Sequence, residues 1–185
     1  MKRKRPSAGS ALQGIASSGV RVGGRAGAGT RARLELAVSY AARRPWVPAR
    51  AQLRRWASAA FAVSPDASAA TAIVLSVRVV GAVAGRRLNA HYRRKDKPTN
   101  VLSFAGAGVM PDGRRFVGEL VICAPVVARE ARRQHKSLSQ HWAHMIVHGV
   151  LHLQGFDHER AAEARIMAGK EVQILDRLGF SDPYA

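Results

Sequence analysis

Apolar residues recur along this chain at two periods, and the switches between them divide it into elements. Residues 34–40, Leu-Glu-Leu-Ala-Val-Ser-Tyr, place apolar side chains at every second position and predict a strand. Pro48 suits the first turn of a helix, and Leu53, Trp56, Ala57, Ala60 and Phe61 follow at helical spacing. Residues 72–80 are apolar and β-branched, the mark of a buried strand. A helix over about 83–92 comes next, and Pro98 separates it from a strand over 101–104. The stretch 106–115 carries Gly, Pro and Asp-Gly and predicts a turn or mobile loop before a strand over 116–123. Pro125 opens a helix to about 134. A second helix, about 138–154, would be buried through Trp142, Met145, Ile146 and Val150. The last helix, about 161–178, presents Ile166, Met167, Ile174, Leu175 and Leu178 as its buried side.

About four strands and five helices result. The early β-α-β alternation predicts parallel pairing, and the short link between the strands ending at Phe104 and starting at Phe116 predicts one antiparallel pair. The expected class is α+β (mixed α/β): a single small mixed sheet packed with helices, with the 138–154 helix central and buried.

Residues 1–33 have no such pattern. They are rich in Ala, Gly, Ser and Arg and hold eight Lys/Arg without an acid. They read as a disordered basic tail ahead of one domain at 34–185. Lys2-Arg3-Lys4-Arg5 there is either a phosphate contact or a solvated charge run. An acid-free Arg/Ser segment also resembles an organelle transit peptide, and a start codon set too early in GC-rich DNA is a third reading.

Charge narrows the partner. The whole chain is formally +18, and without residues 1–33 it keeps 22 basic against 12 acidic residues. Such a surface expects a polyanion, although a merely basic surface fits the composition equally well. The chain is 47% hydrophobic, with no run near the ~20 apolar residues of a membrane span, so no membrane partner is expected. Its one cysteine, Cys123, excludes an internal disulfide and a cysteine-based zinc site; it reads as core and suits a reducing cytoplasm.

The chemistry lies in His148-Gly149-Val150-Leu151-His152-Leu153-Gln154-Gly155-Phe156-Asp157-His158. His148 and His152, four apart, share a helix face about one turn from each other. Gly155 stands where a left-handed residue would end the helix, letting the chain turn back and carry His158 to the same point. Three neutral nitrogen ligands with a fourth position open is how a catalytic zinc site is built. A single histidine on an apolar helix is usually a packed core residue; two at this spacing with a third after a glycine turn are much harder to obtain by chance. His144 shares the face of His148 and could serve as a ligand, but with three ligands already supplied it reads as core or as support for one of them. His91 and His135 have no partner at metal spacing and read as surface residues. Asp157 and Glu159 could each orient a ligand's far nitrogen, and Asp157 equally well could cap a helix.

The same spacing occurs in zinc peptidases, where a glutamate follows the first histidine as general base. Here that position is Gly149, which disfavours a peptidase. A ribonuclease can do without such a base, because RNA brings its own nucleophile or helps to activate water through its phosphate. Thr99, Asn100 and Ser103 could bond backbone at a strand entry or line a cleft. Arg129, Arg132, Arg133 and Lys136 form an RNA track or a solvated face.

The eleven residues from His148 to His158 resemble the signature of the YbeY family of bacterial metal-dependent endoribonucleases, H-G-x-L-H-L-x-G-[YF]-D-H. The block Leu88-Asn89 and 92–104, Tyr-Arg-Arg-Lys-Asp-Lys-Pro-Thr-Asn-Val-Leu-Ser-Phe, is similar to a second block of that family. Gly118-Glu119-Leu120-Val121-Ile122-Cys123 resembles its G-[DE]-I-x-I strand, and Asp182-Pro183-Tyr184 its usual ending. The likeness spans about 34–185. It implies a zinc-dependent, single-strand-preferring endoribonuclease acting in maturation of the small-subunit ribosomal RNA 3′ end and in ribosome quality control. RNA and the small ribosomal subunit are its implied partners, DNA is not expected, and one Zn2+ per chain is the implied cofactor. It also marks Arg93 as catalytic, a choice that the run Arg93-Arg94-Lys95 does not make by itself. The alternative is a ribosome-assembly RNA-binding factor whose zinc is mainly structural.

Overall fold

The computed structural model describes residues 33–42, 47–62, 72–106, 108–158 and 160–185. The expected tail at 1–33 therefore lies outside the described residues, apart from Arg33, which opens the first strand. In chain order the elements are β1 (Arg33–Tyr40), α1 (Arg50–Phe61), β2 (Ala72–Val80), α2 (Ala82–Arg93), β3 (Val101–Ala105), β4 (Arg115–Cys123), α3 (Ala124–Arg133), α4 (Leu138–Leu153) and α5 (Ala161–Arg177). The strands form one mixed sheet in the order β1-β2-β4-β3. β1 and β4 flank β2 in parallel, and β3 runs antiparallel to β4. This is the α+β arrangement that the alternation of periods predicts. No helix among the described residues is long and apolar enough to cross a membrane.

One face of the sheet carries the main core. Leu75, Val77 and Val79 of β2 and Leu120 and Ile122 of β4 are fully buried there, with Leu53 of α1 and Trp142, Ile146 and Val150 of α4. Burying side chains of this size contributes about 1.5–3 kcal/mol each. The other face is covered more thinly: Val80, Leu102, Val121 and Cys123 meet Ala84 and Leu88 of α2. β2 shows the difference, since its odd positions are fully buried while Val74, Ser76 and Arg78 are only half-buried.

α4 is the central helix. From His141 to Leu151 every residue but His148 is buried, and the helix touches α1, α3, α5, β3 and β4. Ser137 caps its start by accepting from the Gln140 amide at 3.1 Å. One expectation needs correction. Ile166 is 56% exposed rather than part of the buried side of α5, whose inward positions are Met167, Glu171, Ile174 and Leu175. A carboxylate thus takes a core position where periodicity called for an apolar residue. Of the two readings of 106–115, turn or mobile loop, the described residues form the turn: Val109 pairs with Arg115, and Met110 and Gly113 close it.

Candidate metal centre

The histidine site is assembled by the way α4 ends. Gly155 adopts φ 86°, its N–H donates to the His152 carbonyl, and the Phe156 N–H donates to the Leu151 carbonyl. That pair of bonds is the Schellman closure, which needs a left-handed residue at the first position past the helix cap. The chain then doubles back along the helix end. Asp157 fixes the next step by accepting from the His158 amide at 2.7 Å.

His148, His152 and His158 bring one ring nitrogen each within 4.8 Å of the others. The Nε2 atoms of His148 and His152 stand 3.1 Å apart. Two nitrogens bound to one tetrahedral zinc, each at about 2 Å, stand about 3.3 Å apart, so this pair already has nearly the spacing an ion would impose. The His158 ring lies 4.9 Å from that of His152 and 5.6 Å from that of His148, centroid to centroid. His148 and His152 are half-buried and His158 is exposed, so the cluster opens to solvent on the His158 side. Burial, with His148 and His158 as neighbours, holds the His152 imidazole below its usual pKa and favours the neutral form that binds metal.

The decisive partner is Glu171, which the sequence pattern did not reveal. Its carboxylate is fully buried, 2.7 Å from Nδ1 of His148 and 3.1 Å from Nε2 of His144, and it accepts from the Tyr184 hydroxyl. Burial alone would raise the Glu171 carboxyl, but the bonds from His144, His148 and Tyr184 outweigh it and bring the pKa down to about 2. An ionised carboxylate only accepts, so Nδ1 of His148 donates to it, and Nε2 is the ring nitrogen left toward His152 and His158. The same bond pattern commits Nε2 of His144 to Glu171. His144, His148 and Glu171 also bring ligand atoms within 4.8 Å, and their hydrogen bonds account for that proximity.

The remaining candidates separate by contact. Asp157 bonds neither ligand ring nor caps α5, whose N-cap is Arg160, and Glu159 lies outside the described residues. His141 pairs with Glu130 at 3.0 Å, and Asn100 donates to the same carboxylate at 3.1 Å. Asn100 also accepts from the Val101 amide, so it serves the entry of β3, with Thr99 beside it. Ser103 donates to the Gly149 carbonyl at 3.4 Å. Arg93 is the last residue of α2 and is exposed, and among the described residues it makes no hydrogen bond or ion pair. The preceding Tyr92 stacks edge-on against Phe104 of β3. Arg129, Arg132 and Arg133 are exposed on α3, while Lys136 is tied to Gln134 and to the Pro183 carbonyl. His91 and His135 are exposed surface residues.

Gly149 has a packing reason. A Cβ at this position would lie 2.8 Å from Leu120 Cδ2 and 3.3 Å from Ser103 Oγ. The position faces the sheet, and α4 lies too close to β3 and β4 for a side chain to fit without something moving.

Residues 43–179 match the family model described as Endoribonuclease YbeY. The chain is 57% identical over 116 residues to Endoribonuclease YbeY of Alkalilimnicola ehrlichii, covering 60% of this chain and 68% of that protein. It is 54% identical over 111 residues to the protein of the same name from Aromatoleum aromaticum, with 60% and 70% covered. Against that of Stenotrophomonas maltophilia the identity is 57% over 116 residues, with 60% and 71% covered. The solution structure of TM1509 from Thermotoga maritima superposes with a TM-score of 0.52 at 20% identity, covering 78% of this chain and 89% of that one; the likeness is one of fold.

Proposed function

The chain belongs to the Endoribonuclease YbeY family, an RNA-cleaving family, and from that premise we propose that it is a zinc-dependent endoribonuclease that prefers single-stranded RNA. Its proposed task is maturation of the small-subunit ribosomal RNA 3′ end and quality control of ribosomes, in a reducing cytoplasm that suits its lone buried thiol. The observation that carries the metal reading is the convergence of three imidazoles on one point with His148 Nδ1 held by a buried carboxylate. The donor set fits zinc: three neutral nitrogens, a fixed tautomer and an open side. Neither a cysteine nor a fourth histidine closes the cluster, since Cys123 is buried in β4 and His144 is committed to Glu171.

An ion held by His148, His152 and His158 supplies Lewis-acid stabilisation of charge developing on a phosphoryl oxygen. The chain's own residues do the rest. Glu171 keeps the His148 ring and its proton in place, and the Schellman turn at Gly155 holds His158 on the open side. Arg93, with no hydrogen-bond or ion-pair partner among the described residues, is free to grip a phosphate oxygen pair. Gly149 leaves α4 without a base, so the attacking oxygen comes from the RNA or from water activated by its phosphate. The exposed arginines of α3 offer further phosphate contacts.

An RNA cleavage assay with and without chelator tests this reading. Single-stranded RNA is cut by the zinc-loaded protein, cutting stops with chelator and returns with zinc, and casein is untouched. Undiminished cleavage after complete zinc removal would leave the family activity intact and discard the zinc dependence.

We also assign residues 1–32 to a basic tail outside the domain, Arg33 being the first residue of β1. A protein lacking residues 1–31 then melts at the same temperature as the full chain, because the missing stretch has no apolar period with which to join a core. Its RNA affinity at low salt falls, since seven cationic side chains are gone. A melting temperature lowered by several degrees would show that the tail packs on the domain.

A further inference from the structure

The carboxylate that holds His148 is itself held from an unexpected place, the last residues of the chain. After α5 ends, Ser181, Asp182 and Pro183 run back across the start of α4. Gln140 donates to the Ser181 carbonyl and hydroxyl, and Lys136 donates to the Pro183 carbonyl. Asp182 accepts from the Tyr184 amide at 2.7 Å and bends the chain there. The Tyr184 ring then sits edge-on to His144, 5.6 Å between centroids. Tyr184 is 57% exposed, yet its hydroxyl reaches the fully buried Glu171 and is the third donor to that carboxylate. Burial and the Glu171 charge push the Tyr184 phenol up, so it stays protonated and can only serve Glu171 as a donor.

We infer that Tyr184 is a positioning residue for the metal centre, acting on His148 through Glu171; this rests on the metal reading proposed above. A buried carboxylate with two oxygens and three donors has its orientation set by all three. His148 takes one oxygen, while His144 and Tyr184 converge on the other. Without the hydroxyl, the second oxygen keeps only His144, and the carboxylate is free to turn between the two rings. The His148 ring then loses part of its fixed orientation. The C-terminal segment is thus a strap whose tip completes the support of a ligand more than thirty residues earlier in the chain. The acidic and histidine side chains form the visible part of the centre, and an exposed tyrosine finishes it.

The test is zinc affinity of the full-length protein, read by competition with a chromophoric chelator at 25 °C, with circular dichroism showing each variant folded. Tyr184→Phe keeps the ring against His144 and removes only the hydroxyl. It is expected to bind zinc about tenfold more weakly, the low end of what loss of a ligand's outer support costs. Glu171→Gln weakens binding on its own, and adding Tyr184→Phe to it costs at most about a further twofold, because the two act in series. If Tyr184→Phe binds zinc as tightly as the parent, or if its full loss persists in the Glu171→Gln background, the positioning role is wrong while the metal centre stands. If the parent binds no zinc, or if His148→Ala binds it as well as the parent, the metal reading fails and the inference falls with it.

Discussion

His148→Ala should purify without zinc and without RNA cleavage, while keeping its fold. His148 stands at the centre of the cluster: its Nε2 faces His152 at 3.1 Å and its Nδ1 faces Glu171 at 2.7 Å. Removing it leaves two imidazoles that nothing holds together, and His158 is exposed on a loop. Metal content should fall from one zinc per chain to none after dialysis. Cleavage should fall on the order of 1000-fold or more, since several kcal/mol of transition-state stabilisation goes with the ion. The fold survives because Glu171 keeps two donors, His144 and Tyr184. The lost hydrogen bond to that buried carboxylate costs about 1.5–3 kcal/mol, a lowered melting temperature rather than unfolding. His152→Ala and His158→Ala should behave alike in metal content. Elemental analysis that finds full zinc in any of the three removes that residue from the site.

Arg93→Ala is expected to keep the zinc and the fold and to cut RNA about 100-fold more slowly or worse, the scale of losing one donor to a transition state. Three imidazoles offer no cationic grip on a phosphate, and Gly149 offers no base. Charge stabilisation beyond that of the ion then falls to a side chain that is free to move to the substrate. Arg93 is exposed at the end of α2 and unpaired among the described residues, so nothing has to be broken for it to engage. Arg93→Lys should recover only part of the rate, because an ammonium cannot hold two oxygens in a planar fork. Lys95→Ala is the better control than a change at Arg94, which closes α2 in a left-handed conformation with φ 56°. The control should weaken RNA binding slightly and leave the cleavage step intact. Equal rates for Arg93→Ala and Lys95→Ala in single-turnover cleavage at saturating enzyme would reduce Arg93 to one cation in a general basic patch.

What was legible in the chain, and what was not, follows the range of the interactions. Leu53, Trp56, Ala57, Ala60 and Phe61 announce a helix because their spacing is set within a few residues. The three histidines and Gly155 are legible for the same reason: a helix face and a Schellman turn are local geometry, and both are found where the spacing puts them. Glu171 was not legible. It sits in an apolar stripe on α5, and its meaning lies in side chains of α4 and the chain end, which no period along the sequence connects to it. A lone acid in a buried stripe is the one available signal, and apolar periodicity points to exposed Ile166 instead. The choice of Arg93 rests on likeness to the family alone, since one arginine in a basic run carries no mark of its own.

The closeness of α4 to the sheet at Gly149 bears on which activities neighbouring sequences could reach. A glutamate there is what the zinc peptidase pattern would require, and two nucleotide changes can convert a glycine codon to one for glutamate, often only one. The obstacle is not mutational distance. Any side chain at 149 meets Leu120 and Ser103 before it meets a substrate, and overpacking of this kind costs about 1–3 kcal/mol. A lineage drifting toward peptide hydrolysis would lose stability first and gain a base only after the Leu120 side chain or the helix had given way. The spacing between a helix and a sheet thus acts as a ratchet, holding descendants of this scaffold to substrates that carry their own nucleophile.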